Sequence, residues 1–200
     1  MNQAVLNRAR KDKFLMVLDI PKSVKKMHDI IIEQPFTADS LQFTCYGSPV
    51  PAMKVDSIDV AYGGQVHKTS SNFRDAYPAL DIPFYIDNGW INYYTLFTWL
   101  NLFNDQKTGK ISMNYKFPDE ENQKYFEKIP LTDLVTTFST FVLDEYNNKI
   151  MKFTYTNAFP ILLDSVILSH QDAGEASSKV SFAFNQVHCE LLRNVNDAIC

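Results

Sequence analysis

The chain has 200 residues, 46% of them hydrophobic and 14% aromatic, with a formal net charge of −4 and a pI near 5.5. That is the length of one domain with enough apolar surface for a core, which excludes wholesale disorder. The acidic balance excludes a protein that grips nucleic acid through a basic face. Charge is nevertheless uneven. Residues 8 to 26 hold Arg8, Arg10, Lys11, Lys13, Lys22, Lys25 and Lys26 against Asp12 and Asp19, leaving 12 bases against 21 acids elsewhere. A basic terminal segment (1–26) on an acidic body is either a solvated extension or a surface that pairs with a neighbouring copy.

In chain order, "KFLMVLDIP" (13–21) reads as a first strand ended by proline. "SVKKMHDIIIEQPF" is ambiguous, because Ile30–Ile31–Ile32 suits a strand or the end of a helix. "LQFTCYG" (41–47) reads as a strand broken by Pro49 and Pro51. "VDSIDVAYGG" (55–64) alternates, with Ile58 and Val60 on one side and Ser57, Asp59 and Ala61 on the other. "ALDIPFYI" (79–86) puts Leu80, Ile82, Phe84 and Ile86 on one face, while Pro83 demands an edge or a bulge.

"DNGWINYYTLFTWLNLFND" is the one long helix, with Asp87 or Asn88 as cap and Gly109 as stop. Tyr93, Leu96, Phe97, Leu100 and Phe103 form its stripe, and Trp90, Tyr94 and Trp99 add apolar surface elsewhere. Such a stripe is core rather than a cofactor site. A polar insertion (105–130) follows. "TTFSTFVLDEYNNKIMKFTYT" reads as two strands around Asn147–Asn148, and "DSVILSH" and "KVSFAFNQV" as a hairpin around "QDAGEASS". Seven or eight short strands with one helix make a single mainly β domain over 1–200, a barrel or sandwich of antiparallel strands.

Chemistry is hard to find. The histidines, 28, 67, 170 and 188, lack metal-ligand spacing. Cys45, Cys189 and Cys200 are no disulfide framework and fit reduced thiols in a cytoplasmic setting. Phosphate loops, dinucleotide turns and nucleophile elbows are missing. Asp119–Glu120–Glu121 lies in the most polar stretch and reads as solvated. "MNQAVLNRARKDK" starts no signal peptide, and no run reaches the ~18 apolar residues of a membrane helix. The expectation is a protein without catalytic residues, metal or cofactor.

The order of elements carries a positive signal. "RARKDKFLMVLDIP", then "VDSIDVAYGGQ" and "ALDIPFYID", then the helix with Trp99, then "NAFP", "DSVILS" and "VSFAFNQV" resembles the tail tube proteins of contractile-tailed bacteriophages. Through them it resembles tube proteins of phage-like injection systems. The likeness spans most of residues 10 to 192. Pro83, the length of 105–130 and the ending "HCELL" depart from the family's pattern. The resemblance implies a tail-tube-like β fold with one flanking helix. It implies a structural virion protein, assembled in the host cytoplasm, that forms rings of six stacked into a tube. Its partners would be copies of itself, tail sheath and baseplate proteins, and genomic DNA passing through without specific binding. Two other roles stay open here. One is a baseplate or tail-hub adaptor that initiates the tube; the other is a monomeric β-barrel enzyme or small-ligand binder.

Two sets of residues follow from the resemblance. Ser57, Asp59, Asp81, Ser165, Ser181 and Asn185 are expected to face the lumen, where basic residues would hold phosphates. Residues 63–78, with His67, Lys68, Phe73, Arg74 and Tyr77, read as a long polar loop between two paired strands. That loop is expected to reach the adjacent ring.

Overall fold

The structure, a computed structural model, describes residues 8–25, 44–104, 131–170 and 174–192. The Ile30–Ile32 triplet, Gly109, the 105–130 insertion and Cys200 lie outside the described residues. The strands are β1 (Phe14–Leu18), β2 (Ser57–Tyr62), β3 (Gln65–Ser70), β4 (Leu80–Tyr85), β5 (Thr136–Leu143), β6 (Lys149–Leu163), β7 (Ser177–Ala183) and β8 (Gln186–Leu191). The helix α1 (Ile91–Phe103) lies between β4 and β5. All pairings are antiparallel. The main sheet runs β1–β5–β6–β7–β4, with β8 also on β6; β2 and β3 form a separate two-stranded sheet.

β6 organises the body. Its first part pairs β5 and β8, with Phe138 opposite Tyr155 and Tyr155 opposite Val187. Its last part pairs β7, with Phe159 opposite Ala183. The change falls in "NAFP": Asn157 takes φ 51°, a left-handed conformation that asparagine tolerates better than most residues. Pro160 follows beside a register shift, where a missing N–H is least costly. One strand thus bends from one half of the sheet into the other.

The core lies on one face of this sheet. Alternation puts Met16 and Leu18, Phe138, Tyr155, Leu80, Ile82 and Phe84, and Val180 and Phe182 inside, and α1 closes it with Leu96, Trp99 and Leu102. Aromatic rings run through it: Trp99 meets Phe182 at 5.7 Å, Phe182 meets Phe138 at 5.6 Å, and Phe138 stacks on Tyr155 at 4.5 Å. Such pairs add to plain area burial.

The helix differs in detail from its sequence reading. Its deepest positions are Asn92, Thr95, Leu96, Thr98, Trp99 and Leu102. Tyr93, Phe97, Leu100 and Phe103 are half-buried flanks. The hydrophobic stripe misleads because two polar residues are satisfied locally. Asn92 donates from Nδ2 to the Tyr85 carbonyl at 2.8 Å, and Thr95 donates to the Ile91 carbonyl at 2.8 Å. Asp87 caps as expected, but from outside the first turn. Its carboxylate accepts the Ile91 N–H at 2.8 Å and the Asn92 N–H at 3.2 Å, while Trp90 turns the chain at φ 58°.

Three strand expectations need correction. "LQFTCYG" is reduced, among its described residues, to a bridge from Cys45 to Phe84. "DSVILS" is not a strand, since β6 already ends at Leu163 and residues 164–169 have no ladder. "KVSFAFNQV" is two strands, broken at Phe184–Asn185. Pro83 lies on β4, the end strand of the sheet, as an edge position requires; on that side its carbonyl accepts the Tyr46 N–H at 3.2 Å beside the Cys45–Phe84 bridge.

Burial shifts two titrations. It pushes the Tyr155 phenol from 10.0 to about 12 and the Cys45 thiol from 9.0 to about 12. The sign follows directly: the unfolded tyrosine ionises from pH ~10 while the folded one stays protonated. Stability from Tyr155 is full below pH 10 and is lost as pH rises towards 12, by about 2 to 3 kcal/mol. The Tyr155 hydroxyl reaches the Pro49 carbonyl only at 3.4 Å. Tyr155→Phe is therefore expected to cost less than ~1 kcal/mol at pH 7 and to flatten the alkaline fall. Urea melts at pH 8 and 11 check both arms, and equal pH slopes in the two proteins would contradict them.

Candidate functional site: a projecting hairpin and an outward sheet face

The most distinctive surface is the β2–β3 hairpin. "YGGQ" makes it: Gly63 and Gly64 have φ 61° and 79°, the signs that a two-residue type I′ turn needs. Six residue pairs follow, from Tyr62–Gln65 to Ser57–Ser70. The Ser71 N–H closes the base on the Asp56 carbonyl at 3.0 Å. Every residue of both strands is exposed. The expected loop over 63–78 is therefore a tight turn and a return strand as far as Ser70, with only 71–78 left irregular, and 55–64 does not pair with 79–86. The alternation was read correctly, but its partner was sought beyond the glycines instead of directly after them.

Pairing gives the hairpin two faces. Ile58, Val60 and Tyr62 share one with Thr69, His67 and Gln65; Tyr62 is 77% exposed. Ser57, Asp59 and Ala61 share the other with Ser70, Lys68 and Val66. Asp59 lies 3.9 Å from Lys68. The sequence reading sent these two residues to different surfaces, lumen and ring contact, whereas cross-strand pairing puts them on one face. Lys54 likewise pairs with Asp56 at 2.7 Å and Asp75 at 3.6 Å, so the arm is charge-balanced. Phe73 is exposed beyond the base. Tyr77 is not: it stacks on Phe184 at 5.2 Å against the core, and its hydroxyl accepts a bond from Arg74 at 3.1 Å. Tyr77 is a packing residue, and Arg74 braces it.

The remaining lumen candidates lie on the body. Asp81 and Ser181 are directly opposed on β4 and β7, and the serine hydroxyl donates to Asp81 Oδ1 at 2.6 Å. That bond, then the Lys179 ammonium at 3.2 Å, holds the Asp81 carboxyl below the ordinary carboxylate range. Its small contribution is present above that range and is lost as pH falls through the lowered value. Ser181 is only 4% exposed, so it orients Asp81 rather than meeting solvent. Asn185, at the β7–β8 break, is exposed and bonds the Thr156 carbonyl through its N–H at 3.1 Å. Ser165 is exposed in the segment after β6. Sequence reasoning missed the polar outward face of β5, β6 and β8, where Ser139, Thr154 and His188 alternate with core residues. The period-2 pattern of "TTFSTFV" and "KFTYT" carried that signal.

A shallow recess of about 300 Å³ is lined by Asp19, Lys22, Lys25, Thr136 and Asn157 among others. Its Thr136 hydroxyl is bonded to the Asp19 carbonyl. No three His, Cys, Asp or Glu side chains gather as metal ligands among the described residues. No described helix is long and apolar enough to cross a membrane.

Comparison with known proteins closes the identification. No curated protein matches the chain. Among solved structures, the baseplate of the anti-feeding prophage holds a similar chain at TM-score 0.60 and 10% identity, covering 95% of this chain and 100% of that one. The tube-terminating cap of the same particle matches at TM-score 0.56 and 13% identity, over 96% of each chain. The sheath–tube complex of an extracellular contractile injection system, in its extended state, matches at 0.56 and 12%, over 94% of this chain and 95% of that one. At such identities the likeness is one of fold. The family model described as phage tail tube protein matches residues 9–190. The chain belongs to the phage tail tube protein family, and its role is that of a structural tube component.

Proposed function

We propose that the protein forms rings of six identical copies that stack into a tube, with a tail sheath around it, a baseplate at one end and a genome passing through. The observation that carries this reading is the β2–β3 arm. A two-stranded hairpin is marginal on its own in water, and this one pairs with no other strand among the described residues while exposing Ile58, Val60 and Tyr62. Docking on another copy would explain both features. His67, Lys68 and Phe73 ride with that arm. The likeness in fold to a sheath–tube complex and to a baseplate component supports the partners, and no enzymatic step is required. Negative-stain microscopy with sedimentation of the purified protein tests the reading. Rings and tubes are expected; a strictly monomeric species at high concentration would overturn it.

The channel wall is assigned to the outward face of the main sheet, with Asp81 and Asn185 on it and Ser181 holding Asp81 in place. Ser165 borders it. Ser57 and Asp59 meet the channel only where the arm does. On this face Lys152 and Lys179 are set against Asp81 and Glu190, a balance without excess positive charge that suits a polyanion that must slide rather than bind. Asn185→Lys with Thr154→Lys should leave tubes intact and slow genome ejection from assembled particles several-fold, with the delay relieved by salt. Unchanged ejection from well-formed particles would remove these residues from the wall.

A further inference from the structure

Histidine changes charge between about pH 5 and pH 8, and one histidine stands on the outward face of the main sheet. His188 of β8 is exposed and directly opposite Thr154 of β6. The other described histidines lie elsewhere, His67 on the arm and His170 in the segment after β6. The cross-strand row that His188 ends holds no fixed charge. It runs from Val17 of β1 through Ser139 of β5 to Thr154, with the Ser139 and Thr154 hydroxyls 3.4 Å apart.

Charge is balanced on both sides of that row. On one side Glu190, two residues along on the same face of β8, is directly opposite Lys152 of β6. Lys149 and Lys152 lie over the Phe141 ring of β5, 4.3 and 5.9 Å from its centroid. The turn beyond them carries Asp144 and Glu145, with Lys13 on the Asn147 amide oxygen at 2.8 Å. Arg10 and Asp12, at 2.8 Å, pair with each other. On the other side, past Thr156 and Gln186, Lys25 pairs with Asp19 at 3.1 Å and Lys22 lines the same recess. Lys179 lies between Asp81 at 3.2 Å and Asp164 at 3.8 Å. These bases and acids match on each side, so a proton on His188 turns a balanced face positive.

We propose that protonation of His188 sets the grip of this face on DNA: with the imidazole neutral a duplex slides past, and with it protonated the face holds phosphates. The inference rests on the reading of this face as the channel wall and adds its regulation by pH. A single imidazolium binds a phosphate only weakly. In a tube, however, the same position recurs in every copy of every ring, so a duplex along the channel meets a ladder of these charges and its phosphate contacts add up. The imidazole is exposed, so salt screens the effect. Thr154 opposite carries no charge that would cancel it, and Glu190 is already set against Lys152.

Co-sedimentation of assembled tubes with a short fluorescent DNA duplex tests it, in low salt at about pH 8 and about pH 5.5. Wild-type tubes should retain several-fold more duplex at the lower pH, and the excess should vanish as salt rises. His188→Gln tubes should retain little at either pH, and His188→Lys tubes should retain the duplex at both. Microscopy confirms that each variant forms tubes; where His188→Gln does not, His188→Asn takes its place. An equal rise between the two pH values in wild-type and His188→Gln tubes overturns the proposal, as does a His188→Lys tube that retains no more than the wild type at pH 8. Tubes carrying Asn185→Lys with Thr154→Lys separate this inference from the reading beneath it. If they hold the duplex at both pH values while His188 has no effect, the wall assignment stands and its regulation by His188 falls. If they hold none, the wall assignment falls and takes this inference with it.

Discussion

Trp99→Ala should lower the free energy of unfolding by about 3 to 5 kcal/mol. The indole is fully buried between α1 and the sheet. It packs edge-on against Phe182, and its Nε1–H donates to the Leu134 carbonyl at 2.8 Å. Alanine leaves a cavity at the junction of helix and strands, and it also leaves that carbonyl without its donor. A loss of this size is a large share of the ~5 to 15 kcal/mol that holds an ordinary domain together. Trp99→Phe separates the two parts, since it keeps most of the ring packing and gives up the hydrogen bond. It should cost clearly less, about 1 to 3 kcal/mol. Denaturant melts followed by far-UV circular dichroism, below the concentration of self-association, read both. A Trp99→Ala loss under about 1 kcal/mol would mean that α1 does not close this core.

The core was legible because burial writes period-2 and helical patterns into the chain. "ALDIPFY" alternates, and β4 buries Leu80, Ile82 and Phe84 as that alternation requires. "VLDEYNNKI" turns at Asn147, which takes φ 64°. Trp99 announced itself by size. The errors have a common physical source, which is that local pattern does not name a partner. β2 alternates like a strand with one buried face, yet both of its faces are exposed because, among the described residues, it pairs only with β3. "DSVILS" is apolar enough for a strand, but β7 pairs with the end of β6 and leaves Ile167 and Leu168 outside. Tyr77 looked like an interface anchor in sequence and is held by Phe184 in space. In the first two cases the apolar residues are where the sequence has them, and the other described residues do not cover them. Apolar pattern that the described residues leave exposed is what the proposed docking between copies would cover.

The same reasoning makes the arm the sharpest point of attack. Replacing Ser57–Ser70 by a short Gly-Ser linker should leave the subunit folded and abolish tubes. The base is already closed by the Ser71–Asp56 bond, so a short linker spans it without strain. The arm adds no strand to the main sheet and no residue to the buried core. The unfolding free energy should therefore change by less than about 1 kcal/mol. Assembly should respond far more. Covering what Ile58, Val60 and Tyr62 expose stabilises a contact by about 3 kcal/mol or more per copy, and every copy in a ring loses it together. Rings joined through the body should survive, so microscopy should show discs without stacks, and sedimentation a single discrete species. Ile58→Ser with Val60→Ser and Tyr62→Ser provides the complementary variant, which keeps the backbone of the hairpin and removes only its apolar face. It should fail to stack in the same way. If both variants gave normal tubes, the arm would be an ornament of the fold, and stacking would have to rest on the body of the subunit.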